Sequence, residues 1–312
     1  MSSASQKPGN PYGVGVSVRL ASGERGTLFP LFGDAHVHLG LIEPELLLPG
    51  GIGRVLDLGW STPELQIWAH TIPGLDVDFA GNFLAAEGGY PSDRSWAPAG
   101  ATVFVENARD AVAEQVASGS SAIKITLNTD AGPVHTDEVL AELVAAAEDA
   151  GLPAVIHAEG HGQAERALRA GKVVLAHTPF SEVLTDDLIV HAAQNNLGWM
   201  STLDIHGYGD HTPAFDVVLE NLRRFVAAGG TVFYGTDLGN GALPLGINAR
   251  ELAALELSGM SHEQIVHSLS SWWRSTPVSR SSFISEMSDN TCADFSTWLC
   301  SARIVENTEV ES

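Results

Sequence analysis

Gly33-Asp34-Ala35-His36-Val37-His38-Leu39-Gly40 places two histidines two residues apart at the end of a short apolar segment. Side chains at i and i+2 of a strand share a face. His36 and His38 can therefore hold one ion from one strand, neutral imidazole being the commonest metal ligand. An isolated His-x-His is more often a pair of surface or hydrogen-bonded histidines. The weight of this pair comes from what lies downstream of it.

Three later residues stand in matching contexts. His157 lies in Ala154-Val155-Ile156-His157-Ala158-Glu159, His177 in Val173-Val174-Leu175-Ala176-His177, and Asp237 in Thr231-Val232-Phe233-Tyr234-Gly235-Thr236-Asp237. Each is a polar residue at the carboxyl end of a β-rich apolar run, just before turn chemistry. A parallel (β/α)8 barrel places its catalytic residues there. The competing reading of any one of them is a cap for the next helix; four such segments in one chain weigh against it.

The chain has three lysines, Lys7, Lys124 and Lys172. Lys124 falls inside Ser121-Ala122-Ile123-Lys124-Ile125-Thr126-Leu127, which reads as a buried strand. Alternation puts Ala122, Lys124 and Thr126 on one face and Ile123, Ile125 and Leu127 on the other. The bulky face suits packing under helices, so Lys124 is expected to point into the barrel. A buried unpaired ammonium is costly and must be neutralised, paired or chemically altered. The bland alternative is an amine that escapes to the rim or pairs with a carboxylate such as Asp237.

The set His36, His38, Lys124, His157, His177 and Asp237 resembles the metal-ligand series of the amidohydrolase superfamily, most closely its imidazolonepropionase-like and prolidase-like branch. Gly235-Thr236-Asp237 and the helix start Asn248-Ala249-Arg250-Glu251-Leu252 fit that branch, and the resemblance covers roughly residues 30 to 270. It implies two divalent ions, with zinc expected. His36, His38 and Asp237 would hold the buried ion, His157 and His177 the outer one, and a carboxylated Lys124 would bridge them. The implied reaction is hydrolysis of a C–N amide-type bond by a metal-activated hydroxide, since bound metal acidifies water. Asp237 would serve as general acid and base, and His177 shares the catalytic role as a polarising group. Lactonase, phosphotriesterase and decarboxylase chemistry, and a metal-binding barrel with little turnover, stay open as alternatives.

Composition bounds the rest. With 312 residues, one barrel-sized domain is expected. The 44% hydrophobic content suffices for a large core. No apolar run approaches the roughly 20 residues needed to span a bilayer, and Met1–Tyr12 lacks a signal-peptide apolar region. Cys292 and Cys300 imply no disulfide framework, so the cytoplasm is the expected location. Sixteen basic residues against 38 acidic ones, a net charge of −22, argue against nucleic acid and against anionic membrane. A small-molecule substrate, including a carboxylate-bearing one, is compatible because bound cations dominate local electrostatics. Homo-oligomerisation is left open.

Candidate strands fall near 33–38, 53–59, 76–84, 121–127, 153–158, 172–177, 198–203 and 231–236. Helical patterns lie between most of them, clearest at 136–150 and 213–228. Thr136 can cap the first of these, and Gly151 stops it. Strand–helix alternation predicts an α/β fold of βα units, a (β/α)8 TIM barrel over residues 31–270. Residues 1–30 form a short N-terminal β segment with one hairpin, and residues 271–312 an irregular C-terminal segment. The two ends together would make a reduced or irregular small β-domain.

The strand-end loops should line the pocket. His206 and Tyr208, after the seventh strand, are candidates for binding a substrate carboxylate or carbonyl. Trp60, Tyr90 and Asn128 are further substrate-binding candidates, followed by His135 and Glu159. Glu159 shares a strand face with His157, which also suits support of that histidine.

Overall fold

In the computed structural model, residues 10–272, 278–286 and 294–311 are described. Lys7, Cys292 and Ala293 lie outside them. The strands along the chain are β1 Val16–Arg19, β2 Arg25–Pro30, β3 Gly33–Val37, β4 Arg54–Asp57, β5 Asp76–Phe79, β6 Phe83–Ala85, β7 Thr102–Phe104 and β8 Ile123–Asn128. They continue with β9 Ala154–Glu159, β10 Val173–Leu175, β11 Gly198–Met200, β12 Val232–Phe233, β13 Arg280–Ser285 and β14 Arg303–Glu306.

The architecture is mixed α/β around parallel strands. One sheet has the order β12-β11-β10-β9-β8-β6-β7 and a second the order β3-β4-β5. Pairing within both is parallel. The single strand expected over 76–84 is broken in two. Gly81 takes φ +79°, and a Cβ there would meet Gln115 Oε1 at 2.2 Å, so the chain bends at this glycine. The half before the bend pairs with β4 and the half after it with β8, so this segment joins the two sheets. Ser121 N–H also donates to Phe79 O at 2.7 Å. At the other margin Ala35 N–H donates to Tyr234 O (2.9 Å), Leu238 N–H to His36 O (3.1 Å) and His38 N–H to Leu238 O (2.8 Å).

Two apolar layers follow from strand alternation. Ile123, Ile125, Leu127 and Ile156 face outward into the larger core, with Leu140, Leu143 and Val144 of the helix Asp137–Asp149. Ala35, Leu56, Ala80, Ala122, Val155, Ala176 and Met200 form a separate inner cluster of mostly small side chains. Thr136 caps that helix by accepting from Val139 N–H, and Thr212 caps Pro213–Ala227 through Phe215 N–H.

The chain ends meet in a four-stranded antiparallel sheet of order β1-β2-β13-β14. The segment expected to be irregular after residue 270 thus holds two strands and the short helix Phe295–Leu299. The strand Arg280-Ser-Ser-Phe-Ile-Ser285 is inconspicuous in sequence because its serines mask the alternation. Ser282 is nonetheless fully buried, donating no surface signal, and its Oγ accepts from Phe32 N–H at 2.9 Å. Tyr12 packs edge-on against His262 and Phe295, and close to Trp298, anchoring the N-terminal end on the C-terminal helix. Among the described residues no helix is long and apolar enough to cross a membrane.

Candidate metal centre

The six metal-ligand candidates line one chamber of about 200 Å³: His36, His38, Lys124, His157, His177 and Asp237. All six are buried. β3 delivers His36 and its exit His38, β8 delivers Lys124, β9 delivers His157, and the turns after β10 and β12 deliver His177 and Asp237.

His36 Nε2 and His38 Nε2 lie 3.1 and 3.3 Å from Asp237 Oδ1. The other nitrogen of each ring faces a carbonyl: His36 Nδ1 is 2.8 Å from Ala176 O, and His38 Nδ1 is 3.1 Å from Gly59 O. A carbonyl can only accept, so Nδ1 carries the proton in both rings. Burial, against the pull of Asp237, pushes His36 down to about 4, so it is neutral at pH 7 and its single proton is committed. His36 Nε2 is accordingly close to the carboxylate but has no hydrogen-bond partner among the described residues. Burial opposes ionisation of Asp237, but the neighbouring imidazoles, His36 first, hold its carboxyl well below the usual range. The candidate ligand atoms of these residues all lie within 4.8 Å of one another. A buried carboxylate set beside two imidazole nitrogens is a donor arrangement that suits a cation between them. The donor set therefore fits a divalent ion.

A second convergent pair stands beside it. His177 Nε2 is 3.0 Å from His157 Nδ1. His157 Nε2 donates to Glu159 Oε2 at 3.0 Å, which leaves its Nδ1 lone pair toward His177. Burial lowers the pKa of both rings, His177 the more strongly. Burial also pushes Lys124 down to about 7, against the Asp237 and Asp57 carboxylates, so much of it is free amine near neutrality.

Two buried carboxylates absent from the sequence candidates hold these segments in place. Asp34 accepts from His36 N–H, Thr236 N–H and Thr236 Oγ1. Asp57 accepts from Leu39 N–H (2.7 Å) and Gly59 N–H (2.9 Å), fixing the turns on both sides of His38. Burial raises both pKa values, that of Asp34 to about 7. Their only sequence signal is an acid at the end of an apolar run.

The substrate-binding candidates divide. Tyr90, His206 and Tyr208 line the chamber with Phe83, Phe180 and Glu159. The Tyr90 ring stacks on His157 at 5.0 Å. Burial takes His206 down to about 4, and its Nε2 is buried without a partner among the described residues. A neutral His206 presents a hydrogen-bonding ring to the chamber rather than a positive charge. Asn128 does not line the chamber; its Nδ2 donates to Glu159 Oε2 at 2.6 Å. Trp60 does not line it either. It packs on Leu65 and Phe79, and a Cβ on Gly40 would meet its ring at 2.1 Å. Trp96, absent from the sequence candidates, lines an adjoining space of about 290 Å³ with Leu41, Gly239 and Gly241. Its ring lies 6.0 Å from those of both His38 and Phe83. His135 is buried against Leu84 O.

No protein-family model matches the sequence, nor does any curated protein. Solved structures do match. A Xaa-Pro dipeptidase with bound methionine in the active site superposes with TM-score 0.71 at 18% identity, over 92% of this chain and 87% of that one. Ochratoxinase of A. niger gives 0.64 at 18% identity, over 78% and 70% of the two chains. A prolidase-like protein from Bifidobacterium longum gives 0.62 at 22% identity, over 78% and 68%. The chain has the fold of the prolidase-like amidohydrolases.

Proposed function

We propose that this protein is a metal-dependent amidohydrolase that cleaves an amide-type C–N bond of a small molecule at the chamber between His36 and His206. The observation carrying this reading is the Asp237 carboxylate set against the Nε2 atoms of His36 and His38, beside the inward-facing His157–His177 pair. The hydrogen bonds across both sheet margins support closure of β3, β4, the bent β5–β6 segment and β8 to β12 into a (β/α)8 barrel, with the site at its carboxyl end.

His36, His38 and Asp237 would hold one ion and His157 and His177 a second, zinc being suited to this N/O donor set. Burial brings Lys124 to about 7, which leaves a free amine that could add carbon dioxide with loss of a proton, and the resulting carbamate would help to hold both ions. The ions would acidify a water and polarise the scissile carbonyl. Asp237 takes the proton of the attacking water and passes it to the leaving nitrogen. His206 and Tyr208 orient the substrate through hydrogen bonds, and Tyr90 and Phe180 exclude water from the reacting bond.

The test is metal content after dialysis against trace zinc, followed by a panel of dipeptides, N-acyl amino acids, hydantoins, imidazolones and lactones. About two ions per chain and turnover of an amide are expected. Two ions with no turnover across the panel would favour a metal-binding barrel instead, and turnover confined to lactones would favour lactonase chemistry.

A further inference from the structure

Glu251 is fully buried and lines neither the chamber nor the adjoining space. It sits in the first turn of the helix Ala249–Leu257, and its carboxylate reaches back to the turn after β11. Leu203 N–H donates to both of its oxygens (2.9 and 2.8 Å), and Asp204 N–H donates to Oε2 at 2.7 Å. The residue just before these pinned amides is Thr202. It has φ +44°, in the left-handed region that β-branched residues avoid. Its own N–H is tied to Gly235 O at 2.8 Å, so the turn is held from both sides. Backbone in this region persists only where its surroundings over-determine it.

That conformation has one outcome directed at the site. Thr202 Oγ1 stands 3.0 Å from His177 Nδ1. The hydroxyl can accept from Nδ1–H, and in that arrangement the ring's single proton is committed there and Nε2 is left as a lone pair facing His157 Nδ1. Without the hydroxyl, His177 could place its proton on Nε2 and satisfy His157 Nδ1 directly. In that tautomer the proton occupies the Nε2 lone pair that a metal at this pair would need, which disfavours binding there.

We propose that Glu251 is a positioning residue. By clamping the Leu203 and Asp204 amides it keeps Thr202 left-handed, and Thr202 in turn sets the tautomer and orientation of His177. The metal consequence rests on the assignment of His177 to the outer ion, whereas the tautomer itself does not.

Two readouts test it. In metal-free protein, long-range proton–nitrogen NMR of the histidine rings, with the His177 signal assigned by substitution, should show the Nδ1-protonated tautomer. Thr202→Val and Glu251→Gln should shift it toward the Nε2 form, and Thr202→Ser should restore it. In calorimetric zinc titration of the same proteins, Thr202→Val and Glu251→Gln should weaken the outer step about 10- to 100-fold, the usual cost of losing a group that orients a metal-bound histidine. The first step should be unchanged, and Thr202→Ser should recover the second. A wild-type His177 protonated on Nε2, or an unchanged tautomer in both variants, would overturn the proposal. So would equal weakening of both zinc steps, which would mark Glu251 as a general scaffold residue. If wild-type protein binds fewer than two ions, the binuclear reading fails while the tautomer measurement still decides the role of Glu251. Thr202→Gly, which accepts the same backbone without the hydroxyl, keeps the test open should Thr202→Val not fold.

Discussion

Asp34 and Thr236, 202 residues apart in the chain, are joined by two hydrogen bonds: Thr236 N–H to Asp34 Oδ1 at 3.1 Å and Thr236 Oγ1 to Oδ2 at 2.6 Å. The same carboxylate takes His36 N–H at 3.0 Å. One buried acid therefore sets the distance between the backbone bearing His36 and His38 and the backbone bearing Asp237. Asp34→Ala leaves three buried donors unmatched. A loss of roughly 3 kcal/mol is expected, since charged hydrogen bonds are worth about 1.5–3 kcal/mol each and their losses overlap. Urea melts of metal-free protein measure it. A loss below about 1 kcal/mol would mean that the strands hold this seam without Asp34.

Lys124 separates the binuclear reading from its alternatives. Lys124→Ala should lose at least one ion and most activity. Lys124→Glu, or an added short-chain carboxylic acid, should restore part of each. Lys172 lines a separate groove with Gly151 and Val173. Lys172→Ala is the control and should change stability by no more than about 0.5 kcal/mol. Elemental analysis read beside activity is the measurement, and full metal content with full turnover in Lys124→Ala would leave the site without its bridge.

The two tryptophans should respond in opposite ways. Trp60 is buried beneath Gly40, so Trp60→Ala should cost about 3–5 kcal/mol of stability. Trp96 is half-buried at the adjoining space, so Trp96→Ala should cost less stability and should raise KM for amides bearing large apolar groups more than for small ones. Melting curves and a substrate-size series for the two variants give the comparison. Identical KM changes for large and small substrates would remove Trp96 from substrate binding.

Glu251 carries a pH signature. Burial raises its pKa from 4.5 to about 7. Below pH 4.5 the group is protonated in both folded and unfolded chains. Between there and pH 7 the unfolded chain releases the proton first, so the unfolded state binds fewer protons and stability falls as pH rises. This contribution is fully present below pH 4.5 and is lost by about pH 7. At 1.36 kcal/mol per unit it is on the order of 3 kcal/mol. Glu251→Gln lacks it, so the difference in unfolding free energy between wild type and variant should change with that sign across the window. A flat difference in urea melts at successive pH values would show that Glu251 is ionised throughout.

Much of the architecture was legible in local patterns, because a strand buried on both sides must alternate bulky and small residues while its end faces a loop. The run around Lys124 exposes this directly: Ile123, Ile125 and Leu127 join the outer core, Ala122 joins the inner cluster, and Lys124 lines the chamber. His36, His38, His157, His177 and Asp237 were nameable for the same reason, since each ends such a run. Other features were fixed only by tertiary contact. The bend at Gly81 depends on Gln115 filling the space that a side chain would need. Trp60 and Trp96 are chemically identical, and only packing sends one beneath Gly40 and the other to the adjoining space. The burial of Asp34, Asp57 and Glu251 depends on backbone amides that the fold brings from elsewhere, in the case of Glu251 from residues 48 and 47 positions away. A sequence lists its acids without saying which will meet such amides. Hydrogen-bond satisfaction in a low-dielectric interior decides that, and it is a property of the assembled structure.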